Sequence, residues 1–548
     1  MNIFVSIKQY FNTHKLLLIL ALLFLIIRLP ALDQIYLLHD ERDIILSGYS
    51  IATTGHDLTG EYLPLAFEGI HPKTPFISIY FSALWWQLMP ERSVFFARLP
   101  FLLTTTLLIF LVYHLILVIT RKKDLALLTT VIYCFSPWVF HMTRLALEVN
   151  LALLFTLAGS ILYLSKKKWV SFLLFFCAFY SYQAYRVLIP VLLIYLELYF
   201  AFQSNLKSYG RYVKQLVINI GVFIFFFISS IFIDSKITSG RLSEIIFFDT
   251  DLLTKDVYFK RMTSTAPAWL QRIFHNKLTS SIDYIIDTAL KGISLDYLFK
   301  KGDASPTNGT TSGGQFFIFF LPVYLLGLVR LAVTKNAVLL YTAGFALIGI
   351  VPSLINSHSA TFAFRSSFMA LGFAYIIAFG TLYAWNQLSR LPLIIKRSVI
   401  VISLGIVILT VQYFAYNYFF RRSITVSELY FEHERTLAEY LIENQDIRYV
   451  YHTSPSEAYL SYVFLNQDIP FDTVRADYSN KKDLQAGSVR FLNCTVHKDL
   501  YADEGKARVI FEGCVNEKQK KILVPDPAVL KIPFKDISNN TAYFVIQP

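Results

Sequence analysis

The sequence predicts an α-helical polytopic membrane protein with a small C-terminal α/β domain outside the membrane. Three observations predict this fold class. Of the 548 residues, 55% are hydrophobic and only 16% are charged, whereas a soluble domain is typically about 25% charged. Apolar runs long enough to cross a hydrocarbon core of about 30 Å recur through the first three quarters of the chain. After residue 420 the chain carries 16 basic and 18 acidic residues, a composition typical of a water-exposed domain.

Eleven apolar runs are predicted to span the membrane. They cover approximately 15–31, 94–119, 125–142, 149–165, 169–182, 187–204, 215–233, 315–333, 337–354, 366–386 and 398–419. With a cytoplasmic N-terminus, the basic clusters at 121–123, 166–168 and 390–397 all face the cytoplasm, as the positive-inside rule requires. The net charge of +12 is therefore explained by cytoplasmic loops and does not indicate a nucleic-acid partner.

The apolar segment 75–89 is predicted to form a helix that lies in the membrane interface. Counting it as a twelfth span would move the basic cluster at 121–123 to the outside. Its aromatic residues suit the headgroup region. The first span ends in Arg28-Leu29-Pro30, which is no signal-peptide cleavage site, so we expect an uncleaved membrane anchor.

Two domains follow from this topology. Residues 1–420 form a transmembrane domain with outer loops at 32–93 and 234–314, and residues 421–548 form an extracytoplasmic α/β domain. The tail alternates a helical pattern at 429–444 with strand-like runs at 447–452 and 542–546. Cys494 and Cys514 fall in this outer domain, where a disulfide is permitted. The long loop 234–314 is either a mobile cover over a site or a solvated excursion.

The first outer loop contains two candidate groups for chemistry. Asp40 and Glu41 follow the first span and precede a helical pattern, so they either act in a site or cap that helix. Lys73 lies at the start of the interfacial helix, where it either binds a ligand phosphate or contacts lipid phosphate.

Further candidates lie in later outer loops. Arg144 and Glu148 are four residues apart and could simply pair on one helical turn. Arg186, His358 and Arg365 lie at outer ends of spans, where arginine is often only an anchor. Because the topology places all these acids and bases on the same side, we expect a membrane-embedded pocket with a base and an anion clamp. The sequence has no zinc spacing, phosphate-binding glycine loop or nucleophile elbow.

The order of these motifs over about the first 200 residues resembles a known family. The set consists of Asp40-Glu41, Lys73-Thr74-Pro75, Arg98-Leu99-Pro100, a basic turn before Leu-Ala-Leu-Leu at 125–128, and Glu148. It is similar to the C-type (GT-C) glycosyltransferases that use lipid-linked sugars, in the branch of protein O-mannosyltransferases and lipid A aminoarabinose transferases. Segments 182–186 and 358–365 resemble bacterial members. This chain departs from several relatives in having Glu148 in place of Asp, and in the additional charges of Arg42 and Asp43.

The resemblance implies a GT-C fold and an inverting, metal-independent transfer without a cofactor. The donor would be a sugar on a polyprenyl phosphate, and the acceptor a lipid, glycan or protein on the outer face of a prokaryotic plasma membrane. Asp40 would be the base, Glu41 would orient it, and Glu148 would hold donor hydroxyls or fix Arg144. The donor phosphate would be bound by Arg144, Arg186 and Arg365, with Lys73 and His358 behind them.

Three other function classes stay open at the level of sequence. A polysaccharide polymerase or glycan ligase usually has a dominant later outer loop, and 234–314 is long enough for one. A lipid-linked sugar transporter or flippase usually has midplane charges or inverted repeats, neither of which is evident. An anchored surface protein with a partner-binding tail would not need eleven spans.

Overall fold

The computed structural model describes residues 15–68, 72–89, 91–203, 209–234, 250–334, 336–354, 363–472, 474, 484–497, 506–527, 529–533 and 540–547. The chain divides into two compact units, Met1–Pro30 with Phe101–Asn417 and Ala31–Pro100 with Tyr418–Pro548. We call the first the helical unit and the second the tail unit, and each is described by itself.

The helical unit is built mainly from apolar helices. Its helices are Lys15–Ile26, Leu108–Thr120, Lys123–Cys134, Pro137–Met142, Glu148–Leu164, Lys168–Phe179, Tyr185–Gln203, Tyr209–Asp234, Thr250–Met262, Ala268–Phe274, Lys277–Gly292, Leu321–Ala332, Ala337–Ala343, Phe345–Gly349, Val351–Leu354, Met369–Leu388 and Leu393–Tyr416. The helix Val94–Thr105 contains the boundary between the two units.

Within the described residues, five helical stretches are long and apolar enough to cross a membrane, and the protein is a membrane protein. Where consecutive helices are taken together, these stretches are Val94–Thr120, Val213–Ile233, Ala337–Leu354, Met369–Leu388 and Leu393–Thr425. Several other predicted spans form shorter helices. The run 125–142 is interrupted because Ser136 caps a new helix that begins at Pro137. Lys168–Phe179 has 12 residues and rises about 18 Å, less than the hydrocarbon thickness. The count of eleven spans stays a prediction.

Glycines allow the closest helix packing in this unit. A Cβ at Gly327 would meet the carbonyl oxygen of Ile376, and a Cβ at Gly380 would meet the carbonyl oxygen of Val323. The backbones of Leu321–Ala332 and Met369–Leu388 therefore approach directly, as small residues permit between membrane helices.

The tail unit contains the predicted small C-terminal α/β fold. Its strands are β3 Tyr449–His452, β4 Leu484–Ala486, β5 Val489–Asn493, β6 Arg508–Phe511, β7 Leu530–Pro533 and β8 Thr541–Ile546, in the order β4-β5-β3-β6-β8-β7. Strand β3 is parallel to β5 and β6, and the other pairs are antiparallel. Helices Glu432–Glu443 and Pro455–Leu465 alternate with the strands, so the helical and strand-like patterns in the tail were assigned to the correct elements.

The first outer loop packs with this tail. It forms helix His39–Thr54, strands β1 Ala66–Glu68 and β2 Pro72–Pro75, and helix Phe76–Trp86. Arg92 Nη2 donates to Asn466 O at 2.5 Å, and Tyr36 N donates to Glu432 Oε2 at 3.2 Å. The expected division into 1–420 and 421–548 therefore differs from the compact units, since these bonds join the loop 32–93 to the tail.

The helix in the predicted interfacial segment 75–89 runs only from Phe76 to Trp86. With 11 residues it rises about 17 Å, too short to span a bilayer. It packs on helix His39–Thr54 at Gly48, where a Cβ would lie 2.7 Å from Ser82 Cβ. Its position in the membrane interface stays a prediction.

Candidate functional site

Polar loops of the helical unit are joined around Ala363. The Trp138 Nε1–H donates to Ala363 O at 2.9 Å, and the Ala363 N–H donates to Asp303 Oδ2 at 2.5 Å. Trp138 N also donates to Gln315 O at 3.1 Å. The short helix Pro137–Met142, the loop 302–315 and the turn 363–368 are thereby fixed to one another.

Two further hydrogen bonds extend this arrangement. His141 Nε2 lies 2.7 Å from Thr307 O, and Tyr185 Oη lies 2.9 Å from Ser367 Oγ. Segments 137–150, 182–186, 302–315 and 363–368 therefore form one polar region, which we call the outer-loop cluster. It brings together the segments that carry Arg144, Glu148, Arg186 and Arg365; the predicted residue His358 lies outside the described residues.

Arg144 is buried, and its Nη1 donates to main-chain carbonyls. The acceptors are Arg28 O at 2.5 Å and Pro30 O at 2.9 Å. Arg28 is buried as well, and its Nε donates to Thr143 Oγ1 at 2.8 Å and its Nη2 to Cys134 O at 2.5 Å. The two arginines thus connect the end of the first helix to the segment 134–144. Arg28 was expected only to mark an uncleaved first span, and its sequence context gives no signal of this role.

Glu148 is the first residue of helix Glu148–Leu164 and is partly exposed. A carboxylate at a helix N-terminus interacts favourably with the helix dipole. The turn before it is held by Asn150 Nδ2, which donates to Met142 O at 3.1 Å and to Leu145 O at 2.8 Å. Glu148 is thereby fixed at the surface of the cluster.

Arg186 and Arg365 are the partly exposed arginines of the cluster. The Arg186 guanidinium carbon lies 5.5 Å from the Phe179 ring centre and 5.6 Å from that of Tyr180. Such cation–π contacts fix the position of the guanidinium. Arg365 lies in the turn between Ala363 and Ser367, whose hydrogen bonds fix that turn on both sides.

Asp303 is a member of the cluster that the sequence analysis did not select. Burial raises the pKa of Asp303 to about 6, although hydrogen bonds from the Ser305 and Ala363 N–H groups oppose this shift. The carboxyl group fixes the loop 302–315 against the turn that carries Arg365. One acid in a glycine-rich stretch gives no sequence signal of burial.

In the tail unit, Glu41 is fully buried and paired with Arg98. Arg98 Nε donates to Glu41 Oε1 at 2.8 Å, and Nη2 donates to Glu41 Oε2 at 2.7 Å. Glu41 Oε2 also accepts the Leu38 N–H at 3.0 Å, which caps helix His39–Thr54. Asp40 is exposed on the first turn of that helix and forms no ion pair within the described residues. The neighbouring acids therefore occupy different environments.

A second buried ion pair follows directly. Arg42 is paired with Glu457, and its Nη1 donates to Ser461 Oγ at 3.2 Å. His39 Nε2 lies 3.0 Å from Glu457 Oε1. Burial alone would raise the pKa of Glu457, but the His39 hydrogen bond and the Arg42 charge lower that pKa to about 2. This network fixes the start of the first-loop helix within the tail unit.

The tail unit also contains two other predicted features, Lys73 and the cysteine pair. Lys73 belongs to β2, but its side chain lies outside the described residues. Cys494 and Cys514 form a disulfide with an S–S distance of 2.00 Å. The bond connects the end of β5 to the turn after β6.

Among the described residues, His433, Glu434 and His452 have ligand atoms within 4.8 Å of one another, as a metal site requires. His452 Nδ1, however, accepts the Ser454 N–H at 2.9 Å. In a neutral imidazole the other ring nitrogen then carries the proton, so binding a metal at either nitrogen would break this arrangement. We therefore assign no metal to this group.

No protein-family model matches the chain, and no curated protein matches it. Among solved structures, ArnT from Cupriavidus metallidurans bound to undecaprenyl phosphate is similar at a TM-score of 0.49 and 11% identity, covering 98% of each chain. Archaeal oligosaccharyltransferase AglB from Archaeoglobus fulgidus, in complex with an inhibitory peptide and a dolichol-phosphate, has a TM-score of 0.43 and 11% identity, covering 92% of this chain and 70% of that chain. Both are GT-C lipid-carrier glycosyltransferases, the class that the first 200 residues resemble. Because both TM-scores are below 0.5, the roles proposed for individual residues rest on the residues of this chain.

Proposed function

We propose that this protein is an integral-membrane inverting glycosyltransferase, which moves a sugar from a polyprenyl-phosphate donor to an acceptor on the outer face of the membrane. The observation that carries the proposal is the outer-loop cluster. Hydrogen bonds hold the segments of Arg144, Arg186 and Arg365 together at the ends of apolar helices. A lipid-linked phosphate is an anion that reaches such a place from within the bilayer.

The formal charges of the cluster fit a phosphate ligand. It carries Arg144, Arg186 and Arg365 against Glu148 and Asp303, and Arg28 adds a further positive charge through its hydrogen bond to Thr143. Burial raises the pKa of Asp303 to about 6, and at pH 7 this carboxyl is still mostly ionised, so the formal charge of the cluster stays positive by the count above. Fixed positive charge stabilises the phosphate that departs as the sugar is transferred, most strongly where water is excluded. Arg186 and Arg365, which are partly exposed, would contact the phosphate, and Arg144 would act through its charge.

Asp40 is the proposed general base, which takes the proton from the acceptor hydroxyl or amine. It is exposed and lies on a helix start that Glu41 and Arg98 hold in place. A base fixed near its target contributes about 10²- to 10⁴-fold to a rate. Glu41 would then be a positioning residue that acts through the helix start. The transfer would proceed without a metal.

The first test measures transfer from radiolabelled polyprenyl-phosphate sugars to host membrane extract, in detergent with EDTA present. We expect the wild type to transfer label and Asp40→Asn, at equal expression and thermal stability, to lose at least about a hundredfold. The matched control is Asp33→Asn, which changes another exposed acid of the same loop. Full activity of Asp40→Asn would refute the assigned base, and loss of wild-type activity in EDTA would refute the metal-free reaction.

The donor contact is tested by Arg365→Ala, with Arg390→Ala as the control at an exposed arginine outside the cluster. We expect the donor KM of Arg365→Ala to rise about tenfold or more, since a charge-assisted hydrogen bond to phosphate is lost. The acceptor KM should stay unchanged. An unchanged donor KM would identify Arg365 as an anchor of the turn.

The same assay separates the alternative activities by their products. A polysaccharide polymerase or ligase would give label in long glycan, whereas a transporter would move the donor between leaflets and transfer no sugar. Either result would replace the single-sugar transfer proposed here.

A further inference from the structure

A cavity of about 620 Å³ lies in the helical unit and shares no residue with the outer-loop cluster. It is lined by the turn before Lys123–Cys134, by the end of Leu321–Ala332 and by the C-terminal half of Met369–Leu388. The topology predicts that these three helix ends are cytoplasmic. The cavity is therefore a different site from the one proposed for transfer.

The lining of this cavity is mainly basic among its charged groups. Lys122, Lys123 and Arg330 face it together with one acid, Asp124. The Arg330 guanidinium carbon lies 4.4 Å from the centre of the Tyr383 ring, a cation–π contact that fixes its position. The formal charge at the cavity is thus positive.

Part of the remaining wall is apolar, although Thr334 and Asn386 also line the cavity. Val333, Phe379 and Leu382 line it, and Val333 is 64% exposed. The basic side chains of the cavity can therefore contact a lipid headgroup, and its apolar wall can contact the acyl chains of the same lipid. Basic pockets between membrane helices at the cytoplasmic side bind anionic lipid headgroups for this reason.

We propose that this cavity binds a phosphate-bearing anion through Lys123 and Arg330. Two sources supply that chemistry, the headgroup of an anionic phospholipid in the adjoining leaflet and free inorganic phosphate. The apolar wall favours the phospholipid. This site does not depend on the transferase activity.

The test is native mass spectrometry of the full chain in detergent with dioleoyl phosphatidylglycerol, dioleoyl phosphatidylcholine or inorganic phosphate. We expect phosphatidylglycerol to bind more tightly than phosphatidylcholine. The double substitution Lys123→Gln and Arg330→Gln should weaken phosphatidylglycerol about 30-fold, the factor for two basic residues near an anionic headgroup. Asp124→Asn should strengthen it, because the opposing charge is removed.

The control is the double substitution Lys166→Gln and Lys167→Gln. It removes the same charge from two exposed residues that are predicted to share the cytoplasmic face and do not line the cavity. Its affinity for phosphatidylglycerol should equal that of the wild type.

Each outcome decides the proposal. Suppose that the affinity for phosphatidylglycerol falls in the Lys123 and Arg330 variant and not in the control. This result supports a phospholipid site if millimolar inorganic phosphate does not displace the lipid. The same loss supports a site for a soluble phosphate if inorganic phosphate displaces the lipid or binds by itself. Equal loss in the cavity and control variants, equal binding of phosphatidylcholine, or unchanged binding in the cavity variant would overturn the proposal.

Discussion

The buried charges at the start of the first-loop helix and those of the outer-loop cluster are satisfied differently. In the tail unit, Glu41 and Arg42 meet opposite charges, in the bidentate contact of Arg98 with Glu41 and the contact of Arg42 with Glu457. Each such pair cancels most of its own field and fixes chain segments that are far apart in sequence. These charges therefore serve the fold.

In the outer-loop cluster, Arg144 and Asp303 form hydrogen bonds with the main chain. Arg144 donates to the carbonyl oxygens of Arg28 and Pro30, and Asp303 accepts main-chain N–H groups. A carbonyl oxygen satisfies a donor without adding a negative charge. A hydrogen bond to a carbonyl therefore cancels less of an arginine's charge than a contact with a carboxylate does.

The largest effect is expected from breaking a charge pair of the tail unit. Arg98→Met leaves Glu41 buried without its partner, and breaking a buried ion pair typically costs about 3–5 kcal/mol. Thermal unfolding of the full chain, followed by size-exclusion chromatography, measures the loss. Arg98→Met combined with Glu41→Met should recover part of the stability, because no buried charge is left over. Wild-type stability of the single variant would show that this pair does not hold the tail unit together.

A change of pH is expected to have an intermediate effect on the stability of the tail unit. Burial lowers the pKa of His452 to about 4, with the charge of Glu434 opposing and that of His433 adding to the shift. The unfolded chain, with a pKa near 6.5, then binds more protons than the folded chain between these values. Stability from this group is therefore full above about pH 6.5 and is lost as pH falls toward 4, by about 2 kcal/mol at pH 5.

The matched variant is His452→Asn, which keeps an acceptor for the Ser454 N–H and does not titrate. It should unfold at similar stability at pH 7 and pH 5, whereas the wild type should lose stability at pH 5. Equal pH dependence of both proteins would assign the effect to other groups of the tail unit.

The helices and strands of the tail were predicted from local patterns in the sequence. Alternating apolar residues found the strand near 449–452, and the helical spacing of apolar residues found the helix Glu432–Glu443. The acids after the first span lie at a helix start, as one of the two interpretations expected, but the cap lies at Leu38 and not at Asp40. Patterns of this kind depend on residues within one or two turns, so a single sequence contains them.

The sequence alone does not predict which residues, distant along the chain, form hydrogen bonds and ion pairs with the buried charged groups. Glu41 and Arg98 are 57 positions apart, and Arg144 and Arg28 are 116 apart. No local pattern indicates that Glu41 is buried while Asp40 beside it is exposed. The burial of Asp303 likewise depends on the turn at Ala363, which lies 60 residues later.

The smallest effect is expected from substitutions of Arg144. They test most directly whether an arginine that is bonded to carbonyls acts on the donor phosphate. Arg144→Lys keeps the charge and changes the carbonyl contacts, whereas Arg144→Gln keeps a donor and removes the charge. If the arginine acts on the donor phosphate through its charge, Arg144→Gln should raise the donor KM about tenfold and Arg144→Lys much less. If it serves only to tie the first helix to the segment 134–144, both variants should lower thermal stability and leave the donor KM unchanged. Measuring stability and donor KM on the same preparations separates the two roles, because a cation bonded to carbonyls contributes to the fold through its hydrogen bonds and to the site through its charge.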